Sequence, residues 1–273
     1  MSIIIITKKA PNTMKLRVHS WGGLGSQLFV LAFIYDLRKK FPKKKILLVH
    51  HTSGVSRRLF ELDSILGSNI SLKLIDDYKP NQDINQNKNR NVLKYLLIKI
   101  IKNILEKLYI FINVDQNPDI NKIKPWTTMI RGHYSKRLIS DNFLSHYVKK
   151  FTNHNFHFLS QTLVVHYRLG DLINLPNKSI IDPNYLIKKI RKIAETDKLE
   201  QILVYSDTIS EAEKLLSPIE NLSNFIRFSD ESTFTVVQNA ISAKHFIGTN
   251  SKVSIWISKF REYQNIPTEL LQD

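Results

Sequence analysis

TLVVHYRLGD, residues 162–171, is an apolar run that ends in histidine, arginine, glycine and aspartate. Residues 161–166 read as a strand, and the polar cluster sits at its carboxyl end. Working outward, residues 183–197 read as a helix, with Asp182 as N-cap and proline at the first position. Strands at 201–206, 224–228 and 244–248 then alternate with helices at 209–216, 233–243 and 251–260. This rhythm predicts an α/β fold with a parallel, doubly wound sheet. Such sheets bind ligands beyond the carboxyl ends of their strands. Three polar clusters fall there: His166 to Asp171, Ser206-Asp207, and Thr249 to Ser251.

The first half carries the same kind of signal. Residues 15–21 read as a strand, followed by Gly22-Gly23-Leu24-Gly25. From 26 to 40, Leu28, Leu31, Ala32 and Tyr35 recur at helical spacing. KILLVH, residues 45–50, and residues 70–75 read as strands. NQDINQNKNRN, residues 81–91, is polar except for Ile84 and reads as a loop. NVLKYLLIKIIKNILEKLYIFI, residues 91–112, reads as one long basic helix carrying Lys94, Lys99, Lys102 and Lys107. Two placements suit it. It lies on an anionic membrane, or it packs between domains with its lysines snorkelling to water. Residues 1–13 precede the strand pattern and read as an extension outside the fold, or as sequence upstream of a true start at Met14.

Composition narrows the classes. Among 273 residues, 42% are hydrophobic and 23% charged, a globular profile that excludes wholesale disorder. The net charge of +16 favours anionic partners. Cysteine is absent, which excludes disulfides, thiolate metal sites and cysteine nucleophiles and fits a reducing compartment. No apolar run reaches the roughly 18–20 residues that a membrane span needs. The short Ile3 to Ile6 run is no signal peptide. There is no internal repeat, no Gly-x-Ser-x-Gly elbow, no Asp-x-Asp clamp for a metal and no nucleic-acid motif.

Several residues have the chemistry for a site. Gly23 and Gly25 sit where a backbone turns tightly or approaches a ligand, although Leu28 replaces the third glycine of a dinucleotide fingerprint. Arg168 offers a permanently charged fork suited to phosphate oxygens. His166 offers a hydrogen bond to a base. Asp171 either orients Arg168 in a strand-end salt bridge or accepts a proton. Thr249, Asn250, Ser251 and Lys252 put hydroxyls, amides and a lysine at a helix start, an arrangement that serves equally as an anion site or as an ordinary cap. Asp207 ends a strand and is the second candidate for a general base.

Taken together these segments resemble a known family. GGLGSQLFVLA (22–32), MIRGHYSKRLISDNF (129–143), VVHYRLGDL (164–172), VYSDT (204–208) and HFIGTNSKVSIWISKF (245–260) resemble, in order, the motifs of bacterial alpha-1,2-fucosyltransferases. The resemblance implies a GT-B architecture, two Rossmann-like domains facing a cleft, with an acceptor-side domain over 1–155 and a nucleotide-sugar domain over 156–273. It implies metal-independent, inverting transfer of fucose from GDP-fucose to a glycan hydroxyl, with no cofactor. Arg168 would hold the β-phosphate and His166 the guanine or ribose side. Thr249, Asn250 and Ser251 would bind the diphosphate, with Gly23 and Gly25 near the donor. The chain departs from the pattern at Ser26, Ser135, Leu169, Thr208 and Ile255. Leu169 replaces the family's second arginine, which leaves open another donor or a non-catalytic binding protein. The expected partners are a nucleotide sugar and an oligosaccharide or lipid-linked glycan, with no nucleic acid. The expected location is the cytoplasm, at the inner face of the plasma membrane through residues 91–112.

Overall fold

β1 (Leu16–Trp21) alternates faces: Leu16, Val18 and Ser20 are buried, while Arg17, His19 and Trp21 turn the other way. α1 (Leu24–Lys40) returns over the buried face to β2 (Ile46–His51), and β3 (Ile70–Ile75) follows. After α2 (Val92–Lys107) come β4 (Phe111–Val114) and β5 (Met129–Gly132). These strands form one parallel sheet in the order β3-β2-β1-β5-β4. The computed structural model describes residues 15–54, 57–66, 70–78, 92–114, 119–135, 138–152, 158–174, 180–220, 222 and 225–271. The expected extension at 1–13 and the expected polar loop at 81–91 lie outside these residues.

α3 (Asp141–Thr152) leads into the second sheet. Its elements are β6 (Leu159–His166), α4 (Pro183–Thr196), β7 (Gln201–Tyr205), α5 (Ile209–Leu216), β8 (Phe225–Ser229), α6 (Thr233–Ser242), β9 (Ala243–Gly248), α7 (Lys252–Tyr263) and β10 (Glu269–Leu270). The order is β10-β9-β6-β7-β8, again all parallel. The strand order reverses between β6 and β9, and such a switch point is where an open α/β sheet binds its ligand. Asp182 caps α4 as expected, its carboxylate accepting from the Asn184 amide.

Two apolar clusters hold the chain. One is shared by both halves: Leu28, Phe29 and Phe33 of α1 meet Phe143 and Phe151 of α3 and Trp256 and Phe260 of α7. The other lies on the far face of the second sheet, under α4 and α5. The second sheet is therefore covered on both faces, the ordinary state of a parallel sheet. The two sheets share a core, so the cleft between them is a crease in one packed body.

The long helix expected over 91–112 stops at Lys107 and gives way to β4. The stop is a backbone event. Tyr109 takes a left-handed φ of 55°. The Tyr109 amide donates to Glu106 and the Ile110 amide to Leu105, the hydrogen bonds that close a Schellman helix end. Among the described residues the helix is not packed between the domains. Leu96, Leu97, Ile98, Ile100, Ile101 and Ile104 remain 47–59% exposed. Among the described residues no helix is long and apolar enough to cross a membrane.

Candidate active site

A cavity of about 690 Å³ opens at the carboxyl ends of β6, β7 and β8. The second half contributes His166, Arg168, Ser206, Asp207 and the turn Asn250-Ser251-Lys252. The first half closes it with Gly23, Leu24, Gly25, Ser26, Arg58 and Glu61. The strand ends singled out by sequence thus converge on one space, with the glycine loop facing them.

Arg168 is held at both ends. Its amide donates to Thr249 Oγ1 at 2.8 Å, and its guanidinium pairs with Asp207. Asp207 also accepts the Leu169 amide at 3.1 Å. A side chain at Gly170 would run into that carboxylate. The Asp207 pair is a contact of Arg168 that the sequence did not suggest, and the expected salt bridge to Asp171 falls outside the described side chains. Asp171 lies in the 3-10 turn Gly170–Asn174, and its side chain is outside the described residues. Leu169, where the resemblance implies a second arginine, is fully buried in the cluster beneath the second sheet. Its side chain takes no position on the cavity wall.

The Thr249 hydroxyl accepts the Arg168 amide and donates to the His166 carbonyl at 3.1 Å, so it builds the loop from behind. Ser251 caps α7 by accepting the Ser254 amide at 2.9 Å. His166 Nδ1 lies 2.7 Å from Ser254 Oγ. Burial, with Arg168 next in weight, pushes His166 down to about 4. It is neutral at physiological pH and acts as a hydrogen-bonding group. The positive end of the α7 dipole completes this wall.

The glycine loop is stitched to the opposite half. Lys252 Nζ donates to Ser26 Oγ at 3.1 Å, and the Trp256 indole donates to the Gly25 carbonyl at 2.9 Å. A Cβ at Gly25 would stand 2.7 Å from the Lys252 backbone. The close approach of α1 and α7 therefore demands glycine there, which is a packing role.

Sequence reading missed Arg58 and Glu61. They come from an irregular segment with no periodic signal. The buried Gln27 amide fixes it, donating to Gly22 and Leu59 carbonyls and accepting the Glu61 amide at 2.8 Å. Glu61 Oε1 accepts the Leu24 amide at 2.9 Å, at the start of α1. Among the described residues no group of three or more His, Cys, Asp or Glu is placed to hold a metal ion.

No family model matches the chain, and no curated protein matches it. Solved structures do match. The E. coli heptosyltransferase WaaC with ADP is similar at 11% identity and a TM-score of 0.53, over 94% of this chain and 87% of that one. The glycosyl transferase of family 9 from Veillonella parvula aligns at 12% identity and a TM-score of 0.49, over 95% and 81% of the two chains. NodZ alpha-1,6-fucosyltransferase soaked with GDP-fucose aligns at 12% identity and a TM-score of 0.46, over 91% and 92%. The likeness to the heptosyltransferase shows the fold. Two parallel sheets with their helices form the α/β arrangement of the GT-B class expected from the sequence.

Proposed function

We propose that this chain is an inverting, metal-independent glycosyltransferase. It moves L-fucose from GDP-fucose to a glycan hydroxyl, in alpha-1,2 linkage, during surface polysaccharide or O-antigen assembly. Residues 156–273 form its donor side and residues 1–155 its acceptor side. One observation carries the reading: Arg168 and the start of α7 open onto the same cavity that the glycine loop closes from the other half. The motif resemblance supports the donor, and the fold supports the class.

In the reaction the acceptor oxygen attacks the anomeric carbon as the diphosphate leaves. Negative charge grows on the leaving group, and preorganised donors stabilise it. Arg168 supplies the fork, the α7 dipole and Lys252 add positive potential, and Asn250 and Ser251 border the same oxygens. Thr249 positions Arg168, and His166 presents a neutral imidazole to the nucleoside. Asp207, engaged by Arg168 and the Leu169 amide, holds the guanidinium in place.

The acceptor's proton needs a carboxylate on the opposite wall, and Glu61 stands there. Oε1 is fixed by the Leu24 amide, and Oε2 has no hydrogen bond among the described residues. Glu61→Gln keeps the amide contact and removes the base. It is expected to lower kcat by about 10²–10⁴-fold with donor affinity unchanged, read by steady-state kinetics and calorimetry. Unaltered kcat would return the role to Asp171.

The deciding experiment is a thermal-shift panel of GDP, UDP, CMP and ADP species followed by product analysis. A shift with GDP species, then consumption of GDP-fucose, supports the reading. Binding of a nucleotide sugar without consumption leaves a binding protein, and no shift with any of them overturns the reading.

The exposed apolar face of α2, with Lys99, Lys102 and Lys107 along it, supports attachment to an anionic membrane. Vesicles rich in phosphatidylglycerol should float the protein at low salt, and the double variant Leu97→Ser, Ile101→Ser should stay behind. Wild-type protein left wholly in the aqueous fraction refutes the attachment.

A further inference from the structure

Parallel sheets are ordinarily covered on both faces; on the second face of the first sheet the described residues place α2, chiefly over β4, and leave a row of cations exposed. Residues paired across neighbouring strands project to the same face. Pairing through Val49 and His19 therefore sets Lys73 and Arg131 in one row, with Arg17 two residues before His19 on β1. Arg17, Lys73 and Arg131 are exposed. Among the described residues α2 lies on this side chiefly against β4, with Lys102 Nζ 5.8 Å from the Phe111 ring. The apolar core is on the opposite face.

This face is built. The Arg131 guanidinium lies 4.7 Å from the Trp21 ring, and Trp21 stacks on His51 at 4.6 Å and 8°. His51 bridges to Asp77 at 2.7 Å and to His19 at 2.9 Å. His19 Nε2 is a buried polar atom without a partner among the described residues. Burial first, then His51, Arg131 and Arg17, push His19 down to about 4, so its imidazole is neutral in a cationic field. The nearby acids are spoken for: Asp77 by His51 and the Ser53 amide, Asp76 by Thr52 and Arg57. Among the described residues no carboxylate pairs with Arg17, Lys73 or Arg131.

We propose that this cationic face binds the diphosphate of a lipid-linked acceptor, whose apolar chain runs along α2. Arg17 and Arg131 stand on the neighbouring strands β1 and β5 with no carboxylate partner among the described residues, and a diphosphate offers each of them its own oxygens, while Lys73 on β3 adds to the positive field. The exposed leucines and isoleucines of α2 border the same face and match the chain. The face begins at Trp21, directly before the glycine loop, so an acceptor anchored here extends its sugar into the cavity. The word acceptor rests on the proposed function, whereas diphosphate binding rests on this face alone.

The test uses the full chain and farnesyl diphosphate as probe, by calorimetry with saturating GDP present to fill the cleft. Binding is expected, and the double variant Arg17→Ala, Arg131→Ala should weaken it by about tenfold or more while GDP affinity is kept. Farnesol should bind at least about tenfold more weakly, because the charge is missing. Lys73→Ala, at an exposed position, gives the same direction if the double variant folds poorly. Equal affinity of wild type and variants, equal affinity for farnesol, or displacement of the probe by GDP overturns the inference. Failure of the nucleotide panel with farnesyl diphosphate still bound at this face removes the transferase reading alone.

Discussion

A lysine at position 168 is expected to lower sugar transfer by about 10²-fold, the typical loss for one charge-stabilising donor. The charge survives in Arg168→Lys, so the loss measures geometry. The arginine's amide is tied to Thr249 and its guanidinium to Asp207, which fixes the fork relative to the start of α7. An ammonium is a single rotating point charge and cannot satisfy Asp207 and two phosphate oxygens in one plane. The effect should fall on kcat more than on KM, because charge on the leaving oxygen is greatest in the transition state. Asp207→Asn should cost less, about tenfold, since it loosens the fork without removing it. Kinetics of both variants, with melting curves to confirm folding, give the answer. Wild-type turnover by Arg168→Lys removes Arg168 from the reaction.

The ease of reading position 168 from sequence, and the difficulty of reading Glu61, have one cause. A strand end in an alternating β/α pattern is fixed by local periodicity, so Arg168, Asp207 and the 250–252 turn are placed once the strands are. The second half was legible to within a few residues because Asp182 and Ser251 mark helix starts chemically. Glu61 reaches the cavity through contacts with Gln27, more than thirty residues away. No local pattern encodes that. The overrun of the helix past Lys107 has a different origin. FINV continues the apolar composition of the helix, and the turn relies on Tyr109 in a left-handed conformation, where a reader looks for glycine. β5 is only four residues long, too short for periodicity to speak. Thr249 was legible in position but not in direction. Which way a hydroxyl points depends on the neighbouring strand's backbone, in this case the Arg168 amide and the His166 carbonyl.

Arg261→Met is expected to destabilise the fold by about 3–5 kcal/mol, because several buried carbonyls lose their donor at once. Arg261 is fully buried, and the acceptors its guanidinium meets are carbonyls. Nη1 donates to Ala240 and Ala243 at 2.6 Å each, Nη2 to Lys244 at 2.9 Å, and Nε to Pro267 at 3.1 Å. The Ala240 carbonyl belongs to the last turn of α6, whose dipole favours a cation there. Burial pushes Arg261 down to about 10, so it stays charged at neutral pH. One side chain therefore joins α7, the end of α6, the start of β9 and the segment leading to β10. Methionine of similar length fills the space but leaves those carbonyls buried and unpaired, each a cost of about 1–3 kcal/mol before relaxation. Lysine reaches fewer of them and should fall between the two. The melting temperature of Arg261→Met should drop by roughly 10 °C for a chain of this size. The consequence extends to the cavity. α7 carries Ser251 and Lys252 at its start and rests on Gly25, so a loosened α7 should also weaken nucleotide binding at temperatures where the variant is still folded. A variant that melts with the wild type would show that the carbonyl cluster is satisfied without the guanidinium, and the link from α7 packing to the donor wall would go with it.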